Sequence, residues 1–305
     1  MSHQVKGRMQ IPRIKQISNI RVSVIIPTLG TRIHFLEEAI KSVDTQTFTP
    51  TEIIIVNNGE VPFLNLGAKF SSKIPVKIVD AAYRVGAPQA RNIGAAISKS
   101  KILAFLDDDD FWSPSFLKGC LEMLIATEAD CCLGRLDKFE GGKTSTFMDA
   151  SEYISLDAFL IMNPGATGSN IVILKEAFNR IGGFDPAICP TEDRGLLVDL
   201  LLHNFKVSVS NTSQSVMRMH DQERLTVSST LNIGFRRFHE KYRHLMNWRD
   251  RIYSNWLFRK EEFKHQRGGG SALKLLVLSV VIVLIHRRPR QIWPGLVAQK
   301  NKRKT

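Results

Sequence analysis

Phe105-Leu106-Asp107-Asp108-Asp109-Asp110-Phe111-Trp112 is the stretch that decides the fold of this chain. The apolar run Ile102 to Leu106 leads directly into four carboxylates, and two aromatic residues follow. The run reads as a buried strand whose carboxyl end delivers clustered negative charge to the surface. That end is where open α/β sheets bind their ligands. Neighbouring carboxylates repel one another, each close pair by ~1 kcal/mol in water and by more when partly buried. A hard divalent cation relieves the repulsion through oxygen ligands and can then hold phosphates. Taken alone, the four aspartates read equally well as a solvated acidic turn.

On the N-terminal side, Val22 to Pro27 is a compact apolar run that ends at a residue unable to donate to a sheet ladder. Phe35, Leu36, Ala39, Ile40 and Val43 then recur at helical spacing, and Glu52 to Val56 gives a second strand running into Asn57-Asn58-Gly59. Strand, helix, strand at this spacing predicts a right-handed βαβ unit and a parallel sheet. Val76 to Val79 reads as a third strand and Gln89 to Lys99 as an Ala-rich helix before the tetra-aspartate strand.

Beyond it, Ser113-Pro114 starts a helix with apolar residues Phe116, Leu117, Cys120, Leu121 and Leu124. Residues 130–150 read as a strand with a Gly141-Gly142 turn, Asn163 to Ser169 as a loop and Asn170 to Leu174 as a strand. Lys175 to Ile181 is a short helix capped by Gly182-Gly183-Phe184-Asp185, and Thr191-Glu192-Asp193 opens another. Lys206 to Val209 is read as a closing strand that Met217 to His220 ends. Leu231 to Lys264 is helical, basic and aromatic, and Gly268-Gly269-Gly270 separates it from the apolar segment Ser271 to Ile285.

The formal charge of +13 is unevenly placed. Residues 1–21 carry five basic and no acidic side chains, residues 236–305 carry 18 basic and four acidic, and residues 22–235 carry 19 basic and 25 acidic. Basic ends around an acidic middle suit an anionic membrane leaflet. Nucleic acid is disfavoured, because no zinc-finger or RNA-recognition signature accompanies the charge. Cys120, Cys131, Cys132 and Cys189 lack metal-ligand spacing and are expected to be free thiols in a reducing compartment. No apolar signal-peptide core precedes Val22, so a cytoplasmic location is expected.

Six separated stretches line up, in order, with one family. They are Val22 to Thr28, Glu52 to Gly59, Ala90-Arg91-Asn92-Ile93-Gly94, Phe105 to Asp110, Gly182 to Asp185 and Glu192-Asp193. On these, residues 22–225 resemble the family 2 glycosyltransferases. The resemblance implies a GT-A (nucleotide-diphospho-sugar transferase) fold: an α/β, Rossmann-like mixed sheet flanked by helices. Here that fold would carry a basic helical C-terminal appendage. It also implies a nucleotide-sugar donor, Mg²⁺ or Mn²⁺, and an inverting transfer.

Residue by residue, the resemblance puts Pro27 and Thr28 beside the nucleoside. Asn58 stands where the family usually has an aspartate on the base. An amide both donates and accepts, so base contact survives with altered preference; an ordinary Asn-Gly turn is the competing reading. Arg84 and Arg91 could meet base or phosphate, or form ion pairs within the domain. The family's D-x-D pattern falls on Asp107 and Asp109, with Asp109 as metal ligand, Asp108 toward the ribose or a metal-bound water, and Asp110 capping the following turn. Asp193 matches the catalytic base, with Glu192 as its competitor. Both would also simply favour a helix N-terminus. His220 could complete the metal site or serve as a structural hydrogen-bonder, and Arg224 could reach the diphosphate.

The domain division expected is a basic arm over 1–21, a catalytic domain over 22–230 and a basic aromatic region over 231–305 that contains the apolar helix 271–285. That helix has about 15 residues where a membrane span needs about 20. Its basic flanks and the Trp and Tyr residues before it suit peripheral membrane binding; packing on the catalytic domain is the alternative. The function expected is transfer of a sugar to a saccharide or lipid-linked acceptor in surface-glycan synthesis. The rivals are a sugar nucleotidyltransferase, faintly echoed by Gly30-Thr31-Arg32, and a non-catalytic protein that binds a nucleotide-sugar or a membrane.

Overall fold

The structure, a computed structural model, describes residues 16–17, 20–63, 70–148, 154–220 and 230–265. The chain divides into two compact units, Met1–Gly234 and Phe235–Thr305. The first is built on a nine-stranded mixed sheet. β1 (Val22–Thr28), α1 (Ile33–Asp44), β2 (Glu52–Asn57), β3 (Val76–Asp80), α2 (Ala87–Ile97) and β4 (Ile102–Phe105) follow in chain order. The four strands pair in parallel, in the order β3-β2-β1-β4. β1 and β4 are buried along their whole length, as near-continuous apolar runs in a doubly covered parallel sheet should be.

The second half reverses direction. β8 (Ile171–Leu174) runs antiparallel to β4, and β6 (Cys131–Glu140) antiparallel to β8. β9 (Val207–Arg218) lies parallel to β6, and β5 (Phe111–Trp112) closes that edge against β9. β7 (Lys143–Met148) forms a hairpin with β6 through Gly141 and Gly142, both left-handed. Helices α3 (Phe116–Thr127), α4 (Leu156–Ile161), α5 (Lys175–Arg180) and α6 (Glu192–Leu202) complete the unit.

β1 and β4 being neighbours has a direct consequence. The turn after β1 and the tetra-aspartate turn after β4 emerge side by side at one edge of the sheet. α2 reaches the same edge because Gly94 lets it sit close: a Cβ there would stand 2.5 Å from Ile25 Cγ2 and 3.3 Å from Val56 Cγ2.

One expectation is corrected and one element is added. The closing strand is longer than Lys206 to Val209; it continues to Arg218. The inward positions Ser208, Ser210, Ser213 and Ser215 are buried although polar, and hydroxyl pairs such as Ser210–Ser213 at 2.7 Å satisfy them, so hydrophobic alternation failed to mark the strand. Helix α4, which no periodicity announced, starts at a Ser155 side chain that accepts the Ala158 N–H at 3.1 Å.

In the second unit, α7 (Thr230–Tyr242) ends there and α8 (Trp248–His265) follows. His239 Nδ1 and Ser254 Oγ join them at 2.9 Å. Phe238, Tyr242, Tyr253 and Trp256 are buried, with the Phe238 and Tyr242 rings, and the Tyr253 and Trp256 rings, in tilted contact. Trp248, by contrast, is exposed. The described residues hold no helix long and apolar enough to cross a membrane. Most of the 1–21 arm, Arg224, the triglycine and the 271–285 segment lie outside the described residues.

The Gly94 contact makes a stability prediction. Gly94→Val should lower the unfolding free energy by about 1–3 kcal/mol through overpacking. Ile25→Ala in the same chain should recover part of it, read as non-additivity in urea denaturation.

Candidate active site

The tetra-aspartate turn is closed by the Asp110 N–H donating to the Asp107 carbonyl at 3.2 Å. Its four side chains have four different surroundings. Asp107, 29% exposed, accepts from Arg91 Nη2 at 2.5 Å. Asp108 is buried and accepts from Thr28 Oγ1 and Arg32 Nη2, both at 2.6 Å. Asp109 accepts from Arg32 Nη1 at 2.7 Å and lies 3.0 Å from His220 Nε2. Asp110 is buried and accepts from Ser169 Oγ at 2.5 Å and the Arg218 N–H at 3.0 Å.

Burial pushes the Asp108 carboxyl up to about 6, against the downward pull of Arg32. It raises Asp110 well above the usual carboxylate range, with Asp109 and Asp107 adding to the effect.

Asp110 does not cap the following turn. It is tied to Ser169, which is fully buried and organises the base of the site. Ser169 Oγ also accepts the Asp107 N–H at 3.1 Å, and its carbonyl takes the Trp112 indole N–H at 2.6 Å and Ser215 Oγ at 2.8 Å. One serine thus fixes the turn's two ends, β5 and β9 together.

Arg91, on α2, is buried between two acidic elements. Besides Asp107 it reaches Glu192 Oε1 at 3.0 Å and Asp193 Oδ1 at 3.7 Å, at the start of α6. Gly168 seals the pair from above: a Cβ there would lie 2.0 Å from Arg91 Nη2. The Glu192 side chain is 5% exposed and that of Asp193 is 18% exposed. Burial and then Glu192 push the Asp193 carboxyl well up, against the pull of Arg91. Glu192 Oε2, Asp193 Oδ1 and Arg91 Nε are buried without a hydrogen-bond partner.

The residues after β2 border this cluster. Asn58 is buried, its N–H donating to the Thr28 carbonyl at 2.8 Å, and its Oδ1 has no hydrogen-bond partner. Arg84 donates its N–H to the Asn58 carbonyl at 2.8 Å, holds a left-handed backbone with φ 54°, and lays its exposed guanidinium over Tyr83. Pro27 is buried in β1, one residue before Thr28.

For a cation, the available donors are Asp109 Oδ2 and His220 Nε2, 3.0 Å apart. No group of three His, Cys, Asp or Glu side chains placed to hold a metal occurs among the described residues. Two protein ligands completed by phosphate oxygens and water is how Mg²⁺ is commonly bound, so the pair fits a cation that arrives with a diphosphate.

The family model for "Glycosyl transferase family 2" matches residues 23–182, more than half of the chain. The chain belongs to this family. An uncharacterized glycosyltransferase of Haemophilus influenzae is 29% identical over 188 residues, covering 59% of this chain and 62% of that relative. The Escherichia coli UDP-Glc:alpha-D-GlcNAc-diphosphoundecaprenol beta-1,3-glucosyltransferase WfgD is 25% identical over 116 residues, covering 38% of this chain and 46% of its own. The chain thus spans less than two thirds of the length of these curated relatives. Among solved structures, S. aureus TarS 1–349 in complex with UDP-GlcNAc superposes with a TM-score of 0.60 at 17% identity, covering 84% of this chain and 76% of that one. That likeness establishes the GT-A fold: a mixed sheet flanked by helices, with helices at the C-terminal end.

In this family 2 member, Arg91 joins Asp107 and Asp193 in one ion-paired group, and the tetra-aspartate turn connects it to the hydrogen-bonded group Thr28, Asp108, Arg32, Asp109 and His220. Asn58 joins it through the backbone, and Arg84 sits one step further out. Two members escaped the sequence reading. Ser169 carried no motif. Arg32 was noticed only as an echo of another enzyme class, although it follows a strand adjacent to β4.

Arg91→Met should cost about 3–5 kcal/mol at neutral pH, because it leaves buried carboxylates uncompensated. An Asp193 carboxyl raised in the native fold costs stability above its unfolded value of about 3.9, increasingly as pH rises through the native value. The loss in Arg91→Met should therefore shrink as pH is lowered toward about 4, measured by urea denaturation across pH.

Proposed function

We propose that this chain is a metal-dependent, inverting glycosyltransferase that moves a sugar from a nucleotide-sugar to a saccharide or lipid-linked acceptor. The observation that carries the reading is the Arg91 bridge, which holds Asp193 in the same buried ion-paired unit as Asp107 of the tetra-aspartate turn. A base and an anionic seat are thereby set against each other at one edge of the sheet.

On this reading, Pro27, Thr28, Asn58, Arg84, Asp107 and Asp108 surround the donor, and Arg91 positions the carboxylates on either side of it. Arg91's buried ion pairs favour that positioning role over direct phosphate contact. Mg²⁺ or Mn²⁺ held by Asp109 and His220 would neutralise charge on the departing diphosphate. Asp193 takes the proton of the acceptor hydroxyl as that oxygen attacks the anomeric carbon. The bond to the nucleoside diphosphate breaks on the opposite face, so the configuration inverts. Asp193 is favoured over Glu192 because its side chain is the more exposed of the two, and its carboxyl is pushed up by burial and by the neighbouring Glu192, which suits a proton acceptor.

The domain division over 1–21, 22–230 and 231–305 belongs to the same proposal. So does residence on the cytoplasmic face of a membrane, supported by the 18 basic and four acidic residues of 236–305. A lipid-linked acceptor is supported by WfgD, whose name specifies a diphosphoundecaprenol-linked sugar. A nucleotidyltransferase would release pyrophosphate in place of a nucleoside diphosphate.

Asp193→Asn should retain donor binding by calorimetry and lose transfer by about 10²-fold or more. In the native enzyme the acid limb of the rate profile should lie above the usual carboxylate range of about 4, since a protonated Asp193 cannot accept the hydroxyl proton. Asp109→Ala should lose metal-dependent donor binding. Deleting residues 268–305 should weaken partition to anionic vesicles in a sedimentation assay, and unchanged partition would assign that segment to protein packing.

A further inference from the structure

The three polar atoms at the outer end of the tetra-aspartate turn form a small triangle. Arg32 Nη1 is 2.7 Å from Asp109 Oδ2 and 3.4 Å from His220 Nε2, and those two atoms are 3.0 Å apart. The other arm of the guanidinium, Nη2, holds Asp108 Oδ1 at 2.6 Å. A guanidinium nitrogen only donates, and an ionised carboxylate only accepts. His220 Nε2 cannot donate to Asp109 and accept from Arg32 at once. In the tautomer with a bare Nε2, Nη1 donates to two neighbouring lone-pair atoms, the place a cation would take; in the other tautomer Nε2–H donates to Asp109 and Nη1 still holds the same carboxylate. Arg32 is the residue before α1, outside the sheet strands, and its side chain is 18% exposed.

We propose that Arg32 is a built-in placeholder cation: it neutralises Asp108 and Asp109 in the donor-free protein and competes with a divalent metal for Asp109. The inference rests on the cation reading given under Proposed function and deepens it. The fork geometry matters, because one planar group bridges two carboxylates where a point charge would satisfy one. While Arg32 is engaged, Asp109 Oδ2 is already committed, and metal alone binds weakly. A donor diphosphate offers the displaced guanidinium a new anionic partner, so metal and donor bind with positive cooperativity. Arg32 is thus a positioning residue that withholds the metal seat until a donor arrives.

The test is Mn²⁺ titration of the full chain, followed by the electron paramagnetic resonance signal of free Mn²⁺, with and without UDP. Arg32→Met should bind Mn²⁺ alone at least about tenfold more tightly than the native protein, the equivalent of one partly exposed ion pair removed. Adding Asp109→Ala to that variant should abolish the gain. Arg32→Lys keeps the charge and loses the fork, so it should show a smaller gain; it serves if Arg32→Met does not fold. Native-like or weaker Mn²⁺ binding by a folded Arg32→Met, or by Arg32→Lys in its place, overturns the placeholder role. If the native protein with UDP still binds Mn²⁺ through Asp109 in that case, the proposed function survives and only this inference fails. Absence of Mn²⁺ binding in every protein, with or without UDP, defeats both.

Discussion

Four carboxylates on one turn repel one another, and this fold accepts them by spending two arginines from distant elements on the problem. Arg91 comes from α2 and takes Asp107; Arg32 comes from the turn after β1 and takes Asp108 and Asp109. Asp110 receives no cation and is held by the Ser169 hydroxyl and a backbone N–H, with its carboxyl pushed up by burial. The parallel pairing of β1 with β4 is what makes this possible, because it sets the two turns side by side. Close packing at Gly94 brings α2 down far enough for Arg91 to reach. The sheet order, the glycine and the arginines are one arrangement answering one electrostatic constraint.

The groups that neutralise the turn in this structure are side chains. On the placeholder proposal, a cation competes for these existing contacts, and its affinity depends on what the displaced guanidinium can find. In the sequence alone, the repulsion among the aspartates reads either as a metal seat or as a solvated acidic turn. The repulsion is there; the first answer to it is Arg32. In the proposed role, Asp109 and His220 would give two ligands to an ion whose other ligands come from phosphate and water.

The parallel half of the sheet could be read from its residues because strands buried on both faces must be continuous apolar runs, and Val22 to Pro27, Glu52 to Val56 and Ile102 to Leu106 are such runs. β9 could not, because its buried face is serine: Ser210 and Ser213 pair their hydroxyls locally, and Ser215 donates to the Ser169 carbonyl 46 positions away. The short motifs marked Asp107, Asp109, Arg91 and Asp193 as a set. They could not reveal that Arg91 joins residues 16 and 101 positions away, since ion pairing of that range is a property of the fold. Arg32 was within reach of inference: once β1 and β4 are taken as neighbours, a basic residue just past one faces the acids just past the other. Ser169, a lone serine in a loop, offered no such handle.

The same cluster sets the character of the proposed base. A carboxylate paired closely with an arginine would ordinarily be held low, and a low carboxylate is a poor proton acceptor. Asp193 stands 3.7 Å from Arg91 Nη1, while Glu192 takes that nitrogen at 3.0 Å. Glu192 thus receives the stronger share of the guanidinium and places its own negative charge beside Asp193. With burial added, these effects outweigh Arg91 and leave the Asp193 carboxyl raised. In the proposed reaction the two acidic residues have divided roles. Glu192 accepts the salt bridge that fixes the helix start, and Asp193, spared most of it, keeps the basicity and the exposure that removal of a hydroxyl proton requires.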